Sequence, residues 1–215
     1  MTRAPSSGGK TRLAPHLSEH RLRALRHALL ADTLRTIANG CSCEVIVFVT
    51  PGDAADEVRA LTDGPIECVP QVEGDLGRRM RAAFTHLLEA PNCDAALLVG
   101  SDIPLLSADH FDEARETLST AGGVVLGPAD DGGYYLIGMR RVYAELFEGI
   151  AWGTTSVLTD TLRVADRAGI EARLIRAAYD VDTIEDLQRL EDDLRTASPE
   201  LAPHVRAWFG AGGAG

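Results

Sequence analysis

The sequence AALLVGSDIP at residues 95–104 decides the fold. Its first five residues are small or aliphatic, form too short a run for a globular helix and show no polar alternation. This pattern is typical of a strand buried on both faces of a parallel sheet. Because ligands of open α/β sheets bind beyond the carboxyl ends of the strands, we expect Asp102 to reach the active edge. A carboxylate there suits a divalent metal on a phosphate. The alternative is that Asp102 caps a helix beginning near Ser107.

Length, composition and charge restrict the class of protein. The 215 residues predict one domain at residues 1–209 and a Gly- and Ala-rich tail at 210–215 that we expect to be disordered. The net charge of −11 argues against a nucleic-acid partner, whose phosphates would be repelled. No apolar run approaches the roughly 18 residues of a membrane span, so we expect a cytoplasmic protein without a membrane partner. The four cysteines lack zinc-site spacing, which predicts reduced thiols. No feature of the sequence specifies an oligomeric state.

A Gly-rich segment near the start of the chain is a candidate phosphate site. Gly8 and Gly9 precede Lys10, the single lysine of the chain, and Arg12 follows. Backbone N–H groups of such a loop can form a nest for phosphate oxygens, which the Lys10 ammonium can neutralise. One alternative is a solvated tail. Another is a P-loop, because Gly9-Lys10-Thr11 matches the end of that motif, although Ala4 replaces its first glycine.

A second Gly-rich loop precedes a predicted helix that runs to about residue 90. Gly74 and Gly77 would let the backbone approach a ligand closely at the helix N-terminus, and Arg78 adds a cationic donor. Asp75 lies between the two glycines. Ordinary helix capping is the alternative explanation for Gly-Asp at this position.

Two apolar runs, residues 124–128 and 134–139, flank a polar turn. A plain hairpin turn is the simplest interpretation. Two adjacent acids beside two tyrosines exceed what a hairpin needs. Asp130 or Asp131 is a candidate for metal binding or proton abstraction, and Tyr134 or Tyr135 for an acceptor pocket. Trp152, further along, is either a core residue or a pocket wall. The candidates for the acceptor site are therefore Asp130, Gly132, Gly133, Tyr134 and Trp152, with Asp131 as a catalytic candidate.

Two more acids follow the last predicted strand. Asp180 and Asp182 lie at its carboxyl end, where either could supply a second metal ligand. Thr183 and Asp186 predict the N-terminal cap of the next helix. Together with the preceding segments this gives a β-α-β-α order, which favours parallel strands joined by right-handed crossovers.

Six motifs occur in an order that resembles a known family. They are KTRLAP (10–15), GDLGRRM (74–80), LLVGSDIPLL (97–106), GPADDGGYYLIGM (127–139), AWGTTSVL (151–158) and DVDTIEDL (180–187). Together they resemble the bacterial radical-SAM/selenodomain-associated transferases, a glycosyltransferase-like family. That family is similar in fold to the nucleotide-diphospho-sugar transferases, which include the molybdenum-cofactor and 2-phospho-lactate guanylyltransferases. The resemblance implies an α/β three-layer sandwich of the GT-A type with a mostly parallel, mixed central sheet.

The resemblance also implies roles for individual residues and a cofactor. Asp102 would be the principal ligand of a divalent metal, Mg²⁺ or Mn²⁺, and Asp182 the second. Lys10 and Arg12 would contact phosphates, and the loop at 74–77 would lie near the nucleotide. Relatives have an apolar strand directly before the first Gly-rich loop, so we expect this first strand to be missing or truncated here. The alternative is that residues 2–5 form a stub of it.

Three activities fit these features. The first is nucleotidyl transfer, in which a phosphate or similar oxyanion of a small acceptor attacks a nucleoside triphosphate and expels pyrophosphate. The basic Gly-rich loop favours it, because a triphosphate tail needs such a loop. The second is glycosyl transfer from a nucleotide-diphospho-sugar, with Asp130 or Asp131 as the base. The third is a non-catalytic nucleotide-binding protein.

Overall fold

The computed structural model describes residues 1–40, 43–62, 64–120 and 122–211. The chain forms two compact units, and each unit is built from segments that are distant in sequence. The first comprises Met1–Pro70, Ser101–Ala108 and Asp180–Gly215, and the second comprises Gln71–Gly100 and Asp109–Tyr179.

The first unit contains a parallel sheet and four of the helices. Its strands are β1 (Thr2–Arg3), β2 (Ile46–Thr50) and β3 (Glu67–Pro70). Its helices are α1 (Glu19–Gly40), α2 (Ala55–Arg59), α6 (Ile184–Thr196) and α7 (Pro203–Gly210), and short 3-10 turns occupy Pro5–Ser7 and Gly52–Ala54.

The first strand is present as a two-residue stub. Thr2 pairs in parallel with Val49 and Arg3 with Thr50, and the N–H of Ala4 donates to the carbonyl of Thr50 at 2.9 Å. The alternative that residues 2–5 form a stub is therefore confirmed for the two residues of β1. The chain then leaves the sheet at Pro5, which has no N–H to continue the ladder.

The core of the first unit lies where the apolar face of α1 meets β2. Leu30 and Leu34 of α1 pack in one cluster with Val47 and Val49 of β2 and with Ala4. These positions follow from the helical spacing of leucines in α1 and the period of two in β2. The core thus fixes the segment that leads into the first Gly-rich loop.

Helix α7 is attached to α1 by a buried carboxylate. Asp32, whose side chain is 5% exposed, accepts hydrogen bonds from the N–H groups of His204 and Val205 at 3.0 and 2.9 Å. A side chain from another helix thereby satisfies N–H groups in the first turn of α7, which would otherwise lack partners. The guanidinium of Arg21 also lies 3.9 Å from the centre of the Trp208 ring.

The second unit contains a mixed sheet in the order β4-β6-β5-β7. Its strands are β4 (Ala96–Val99), β5 (Val124–Pro128), β6 (Tyr134–Met139) and β7 (Ala172–Leu174). Its helices are α3 (Leu76–Leu88), α4 (Ala108–Thr120, whose first residue is grouped with the first unit) and α5 (Val157–Arg167), with a 3-10 turn at Ala144–Phe147.

Strand β4 differs from its sequence expectation. It pairs antiparallel with β6, and its residues alternate between buried (Ala96 and Leu98, each 6% exposed) and partly exposed. Burial on both faces of a parallel sheet is therefore the wrong prediction for β4, which is an edge strand of the sheet in this unit. Strands β5 and β6 are antiparallel, as the hairpin prediction requires, and β5 pairs with β7 in parallel.

The structure bears on the predictions for the cysteines, the C-terminal tail and membrane spans. Cys68 and Cys93 are free thiols, whereas Cys43 is disulfide-bonded, so the prediction of reduced thiols is wrong for Cys43; Cys41 lies outside the described residues. Helix α7 extends to Gly210, and residues 212–215 of the predicted tail lie outside the described residues. Among the described helices, none has the length and hydropathy of a membrane span.

Candidate active site

The first unit brings Lys10 together with two of the predicted acids. The Nζ atom of Lys10 donates to Oδ2 of Asp102 at 3.0 Å and to Oδ1 of Asp182 at 2.9 Å. The Lys10 side chain is 8% exposed, whereas those of Asp102 and Asp182 are 42% and 41% exposed. The ammonium is thus enclosed, and the carboxylates keep open surface for another ligand. The interpretation of Lys10 as part of a solvated tail is wrong.

A third carboxylate completes a cluster. Asp102, Asp180 and Asp182 each place one carboxylate oxygen within 4.8 Å of the other two. Asp180 and Asp182 flank Val181, which is fully buried at 0% exposure. On the other side, the hydroxyls of Ser101 and Thr2 are 2.9 Å apart, which ties the segment before Asp102 to β1. Hard divalent cations prefer such oxygen ligands, so the donor set fits Mg²⁺ or Mn²⁺.

Charge attraction keeps Lys10 and Asp102 in their ionised forms. Burial by itself would lower the pKa of the Lys10 ammonium, but the charges and hydrogen bonds of Asp102 and Asp182 outweigh burial and raise it. Burial would raise the pKa of the Asp102 carboxyl, but the charge and hydrogen bond of Lys10 outweigh burial and lower it. Both groups are therefore charged at neutral pH.

Asp182 is oriented by the start of α6. The carboxylate of Asp186 accepts from the backbone N–H groups of Asp182 and Thr183 at 3.0 and 2.7 Å, and the Thr183 hydroxyl accepts from the Asp186 N–H at 3.2 Å. This is the predicted capping box. Because the Asp186 carboxylate also holds the N–H of Asp182, the cap fixes the backbone that carries a metal-ligand candidate.

The first Gly-rich loop presents consecutive N–H groups. Gly8, Gly9 and Lys10 all have positive φ, at 80°, 108° and 56°. Within the described part of the chain, the backbone N–H groups of residues 8–12 have no hydrogen-bond partner. A run of free N–H groups of this kind forms a concave anion site. No helix starts at Lys10, since residues 11–16 form turns and α1 begins at Glu19, so the P-loop interpretation is wrong. Arg12 is exposed.

In the second unit, the loop before α3 is shaped by capping and packing. The Asp75 carboxylate accepts from the N–H of Arg78 at 2.8 Å, so Asp75 is the N-cap of α3, as the alternative interpretation required. Gly74 has φ 126°, and a Cβ there would lie 2.7 Å from Cδ of Arg78. A Cβ on Gly77 would lie 2.5 Å from Nε1 of Trp152. Gly77 is therefore required for packing against Trp152.

The polar turn between β5 and β6 is largely self-satisfied. The Asp131 carboxylate accepts from the N–H of Gly133 at 2.8 Å, and the N–H of Asp130 donates to the carbonyl of Ala178 at 3.2 Å. Gly132 has φ 88°, and a Cβ there would lie 2.1 Å from the carbonyl oxygen of Thr155. Both acids have exposed side chains, so Asp130 and Asp131 both stay candidates, and Asp131 also stabilises its turn.

Tyr134 and Trp152 form a ring pair in the same unit. Their ring centres are 6.5 Å apart at an interplanar angle of 87°. The Tyr134 hydroxyl is buried, and among the described residues it interacts weakly with Thr161. Burial raises the pKa of this phenol, so it stays protonated and can donate to a ligand.

Comparison with known proteins places the sequence in a family. Residues 33–154 match the family described as "Uncharacterized protein conserved in bacteria (DUF2064)". The chain belongs to this family. The match covers β2, the Gly74–Gly77 region, Asp102 and the hairpin turn, which are elements of both units.

Curated relatives of this DUF2064 chain are guanylyltransferases. The 2-phospho-L-lactate guanylyltransferase of Methanothrix thermoacetophila is 31% identical over 186 residues, which cover 85% of this chain and 77% of the relative. The phosphoenolpyruvate guanylyltransferase of Roseiflexus castenholzii is 29% identical over 197 residues, which cover 90% and 87%. The prediction of a transferase that uses a nucleotide is confirmed by these similarities.

A solved structure confirms the predicted fold type. A crystal structure assigned to a nucleotide-diphospho-sugar transferase of Desulfovibrio desulfuricans G20 matches with a TM-score of 0.88 and 28% identity, covering 98% of this chain and 93% of that one. The predicted α/β fold of the nucleotide-diphospho-sugar transferase type is therefore correct.

Two residues at the site are not assigned by the sequence, Asp180 and Arg26. The resemblance gives Asp182 as the second metal ligand, and the structure brings Asp180 to Asp102 as well. Arg26 was missed: its side chain is buried beside the first Gly-rich loop. The signal for Arg26 was its position four residues after Leu22 and three before Leu29, where a charge interrupts the apolar face of α1.

Proposed function

We propose that this chain transfers a guanylyl group from GTP to the phosphate of a small phosphorylated carboxylic acid and releases pyrophosphate. The observation that carries the proposal is the contact of one buried ammonium, Lys10, with both Asp102 and Asp182 beside a loop of free N–H groups. This arrangement places anion donors next to candidate metal ligands within one unit. The two curated relatives are named for acceptors that carry a carboxylate and a phosphate, which suggests the acceptor class.

The loop at residues 8–12 is the proposed holder of the triphosphate. Its free N–H groups and the ammonium of Lys10 supply donors to phosphate oxygens at no cost in new backbone ordering. Arg12 is exposed and adds a second cation. Positioning and charge neutralisation are the main requirements of phosphoryl chemistry, because the reaction needs no covalent nucleophile from the protein.

The cluster of carboxylates is the proposed metal site. Three carboxylates and the one ammonium of Lys10 leave a net charge of about −2, which a divalent cation would neutralise. When bound, such a cation would neutralise charge on the phosphates during transfer. Asp102, Asp180 and Asp182 are the residues that would hold it.

The proposed reaction is a displacement at phosphorus. An oxygen of the acceptor phosphate forms a bond to the α-phosphorus of GTP, and the bond from that phosphorus to the bridging oxygen of the β-phosphate breaks. The electron pair leaves with pyrophosphate. The role of Lys10 and of the N–H groups of residues 8–12 is to hold the negative charge that grows on the leaving group.

For the second unit, we retain as proposals a nucleotide-contact role and an acceptor-contact role. Arg78 is exposed at the start of α3, where it can donate to a ligand, and Tyr134 has a buried hydroxyl and packs beside Trp152. The proposed nucleotide contacts are Gly74, Asp75, Gly77 and Arg78, and the proposed acceptor contacts are Asp130, Gly132, Gly133, Tyr134 and Trp152.

The test is a substrate screen with the purified chain. Each of the four nucleoside triphosphates is combined with phosphoenolpyruvate, 2-phospho-L-lactate or 3-phospho-D-glycerate, the acceptor for which a further similar guanylyltransferase is named. The assay is run with and without Mg²⁺ or Mn²⁺, and pyrophosphate release is measured. The proposal expects metal-dependent release with GTP and one of these acids. Release with another triphosphate alone would correct the base, and binding without turnover would support a non-catalytic nucleotide-binding protein.

Glycosyl transfer is the second candidate. The structural match assigned to a nucleotide-diphospho-sugar transferase favours it. Under this alternative the same screen with UDP-, GDP- and dTDP-sugars would release a nucleoside diphosphate, and no triphosphate would yield pyrophosphate. That pair of results would replace the first proposal.

The cellular context is also proposed. A reaction that uses a nucleoside triphosphate fits the cytoplasm, which fractionation of the native host would test. The family resemblance further implies an association with radical-SAM or selenodomain proteins, and co-purification of the chain with such a partner would test it.

A further inference from the structure

A buried arginine lies behind the first Gly-rich loop. Arg26 is on the apolar face of α1, between Leu22 and Leu29, and its side chain is 8% exposed. An arginine is almost never this buried unless its donors are paired. The hydrogen-bond partners of this guanidinium therefore indicate which segment of the chain it positions.

The guanidinium of Arg26 binds a carbonyl before the loop and a carbonyl within it. Its Nε donates to the carbonyl of Pro5 at 2.8 Å, and one terminal nitrogen donates to the carbonyl of Gly9 at 3.0 Å. The other terminal nitrogen pairs with the carboxylate of Glu19, near the start of the same helix. One rigid fork thus ties two carbonyls, four residues apart, to α1.

The direction of these carbonyls determines what the loop can bind. A carbonyl near a phosphate would repel it, whereas an N–H group attracts it. Because Arg26 attracts the carbonyl oxygen of Gly9, the following peptide N–H, that of Lys10, points away from Arg26. It belongs to the run of five N–H groups at residues 8–12 that have no partner in the described part of the chain. The positive φ angles of Gly8, Gly9 and Lys10 give the backbone this orientation.

A second contact anchors the loop from outside but leaves these N–H groups free. The N–H of Ser6 donates to the Glu57 carboxylate at 3.2 Å, and Arg23 pairs with the same carboxylate at 3.1 Å. Ser6 and Arg23 are exposed and Glu57 is partly exposed, and both contacts lie before residue 8 of the loop. Arg26 is the buried contact that reaches Gly9, the residue directly before Lys10.

We propose that Arg26 is a positioning residue for the loop at residues 8–12. It keeps the N–H groups of the loop available to phosphate, and it keeps Lys10 in contact with Asp102 and Asp182. It acts through the backbone of Pro5 and Gly9 and does not touch the ligand. The inference rests on the proposed function, because it concerns the affinity of that site for phosphates. If Arg26 has this role, loss of its guanidinium raises the dissociation constants for phosphates, whereas loss of a purely structural guanidinium lowers only the stability of the fold.

Arg206 provides a matched control in the same unit. Its guanidinium also binds backbone carbonyls, those of Leu194 and Leu201 at 2.7 and 2.9 Å among others, at the junction of α6 and α7. None of these carbonyls belongs to the Gly-rich loop. Arg206→Gln therefore removes the same kind of structural contact without changing the proposed phosphate site.

The experiment compares wild type, Arg26→Gln, Arg26→Lys and Arg206→Gln. Binding of two probes, GTP with Mg²⁺ and inorganic pyrophosphate with Mg²⁺, is measured by calorimetry at a temperature at which circular dichroism shows every variant to be folded. Stability is measured separately by urea unfolding. For Arg26→Gln we expect dissociation constants raised about tenfold for both probes, the loss of one charge-assisted hydrogen bond to the loop. Arg26→Lys can reach one of the two carbonyls and should fall between wild type and Arg26→Gln.

The control separates positioning from stability. Arg206→Gln should lower the urea midpoint and leave both dissociation constants within about twofold of wild type, a change near the scale of RT. If Arg206→Gln and Arg26→Gln weaken binding of the probes equally, or if Arg26→Gln leaves binding unchanged, the inference about Arg26 is overturned. The proposed function would be unaffected by either result. If Arg26→Gln does not fold, Arg26→Lys with wild-type affinity for both probes would overturn the inference as well. Absence of binding by wild type would refute the proposed function, and this inference with it.

Discussion

The Nζ atom of Lys10 lies 2.9 Å from Oδ1 of Asp182, although 172 positions separate the two residues. The same atom binds Asp102 at 3.0 Å. Residues from three distant segments of the chain thus meet at one ammonium group. Since Asp180 belongs to the same cluster of carboxylates, a metal and Lys10 would compete for the oxygens of this cluster.

The carboxylate cluster predicts a direct effect on metal binding. Loss of an outer-shell partner already costs about 10- to 100-fold in metal affinity, so removal of a ligand should cost at least as much. Asp102→Asn and Asp182→Asn should each weaken Mn²⁺ binding accordingly, as measured by electron paramagnetic resonance of free Mn²⁺. Asp192→Asn, at an exposed position of α6, is the control and should keep wild-type affinity. Unchanged affinity in Asp102→Asn would remove Asp102 from the metal site.

The position of Lys10 predicts that its replacement has opposite effects on the affinities for metal and for nucleotide. Lys10→Met removes a competing cation and takes the net charge of the cluster from about −2 to about −3. Without nucleotide, its Mn²⁺ affinity should rise about tenfold, because one charge at this range contributes several kcal/mol before screening. Its affinity for GTP with Mg²⁺ should fall in parallel. Lys10→Arg retains the charge and serves as the control; weaker Mn²⁺ binding in Lys10→Met would contradict the competition.

Gly77 predicts a loss of stability that arises from packing. A Cβ at this position would lie 2.5 Å from Nε1 of Trp152 and 2.6 Å from the carbonyl oxygen of Phe147. Gly77→Ala should therefore lower the free energy of unfolding by about 1–3 kcal/mol, the usual cost of overpacking. Gly122→Ala, where a Cβ meets no atom within 4 Å, should change it by less than about 0.5 kcal/mol. Equal effects of the two substitutions in urea unfolding would show that Gly77 does not pack as described.

Much of the site was predictable because its residues end strands or begin helices. Asp102 follows a short apolar strand, Asp182 precedes a recognisable capping box, and Lys10 follows two glycines. Each position is therefore set by local sequence, and the meeting of strand ends in an α/β fold implies that they converge.

The remainder depends on contacts between distant segments. The leucines of α1 place Arg26 on the apolar face of that helix, but the hydrogen bond of Arg26 to the Gly-rich loop depends on how the loop packs, whereas Arg23 is exposed. Gly77 suggested close approach of a ligand, yet the group that approaches is the ring of Trp152, 75 positions later. The antiparallel pairing of β4 with β6 likewise depends on the path of the chain between these strands. The hydrophobic periodicity of β4 does not predict its partner.

Tyr135 predicts how stability changes in alkaline solution. Burial raises the pKa of this phenol from 10.0 to about 12, while its hydroxyl donates to the carbonyl of Arg176 at 3.1 Å. Between these two values the unfolded chain loses the proton and the folded chain keeps it, so the free energy of unfolding falls as pH rises. Tyr135→Phe lacks this titration. Its stability deficit, measured by urea unfolding, should therefore be constant from pH 7 to 9 and shrink above pH 10. A deficit that grows above pH 10 would contradict the assignment.

A phosphorus NMR spectrum of the reaction would show nucleotidyl transfer itself. Wild type and Asp102→Asn are incubated separately with GTP, phosphoenolpyruvate and Mg²⁺, and the spectra are followed over time. We expect wild type to form pyrophosphate and a new diphosphate linkage in equal amounts, whereas Asp102→Asn, folded by circular dichroism, forms neither at a comparable rate. Equal product formation by Asp102→Asn, or the absence of any diphosphate linkage with phosphoenolpyruvate, 2-phospho-L-lactate and 3-phospho-D-glycerate in turn, would contradict this expectation.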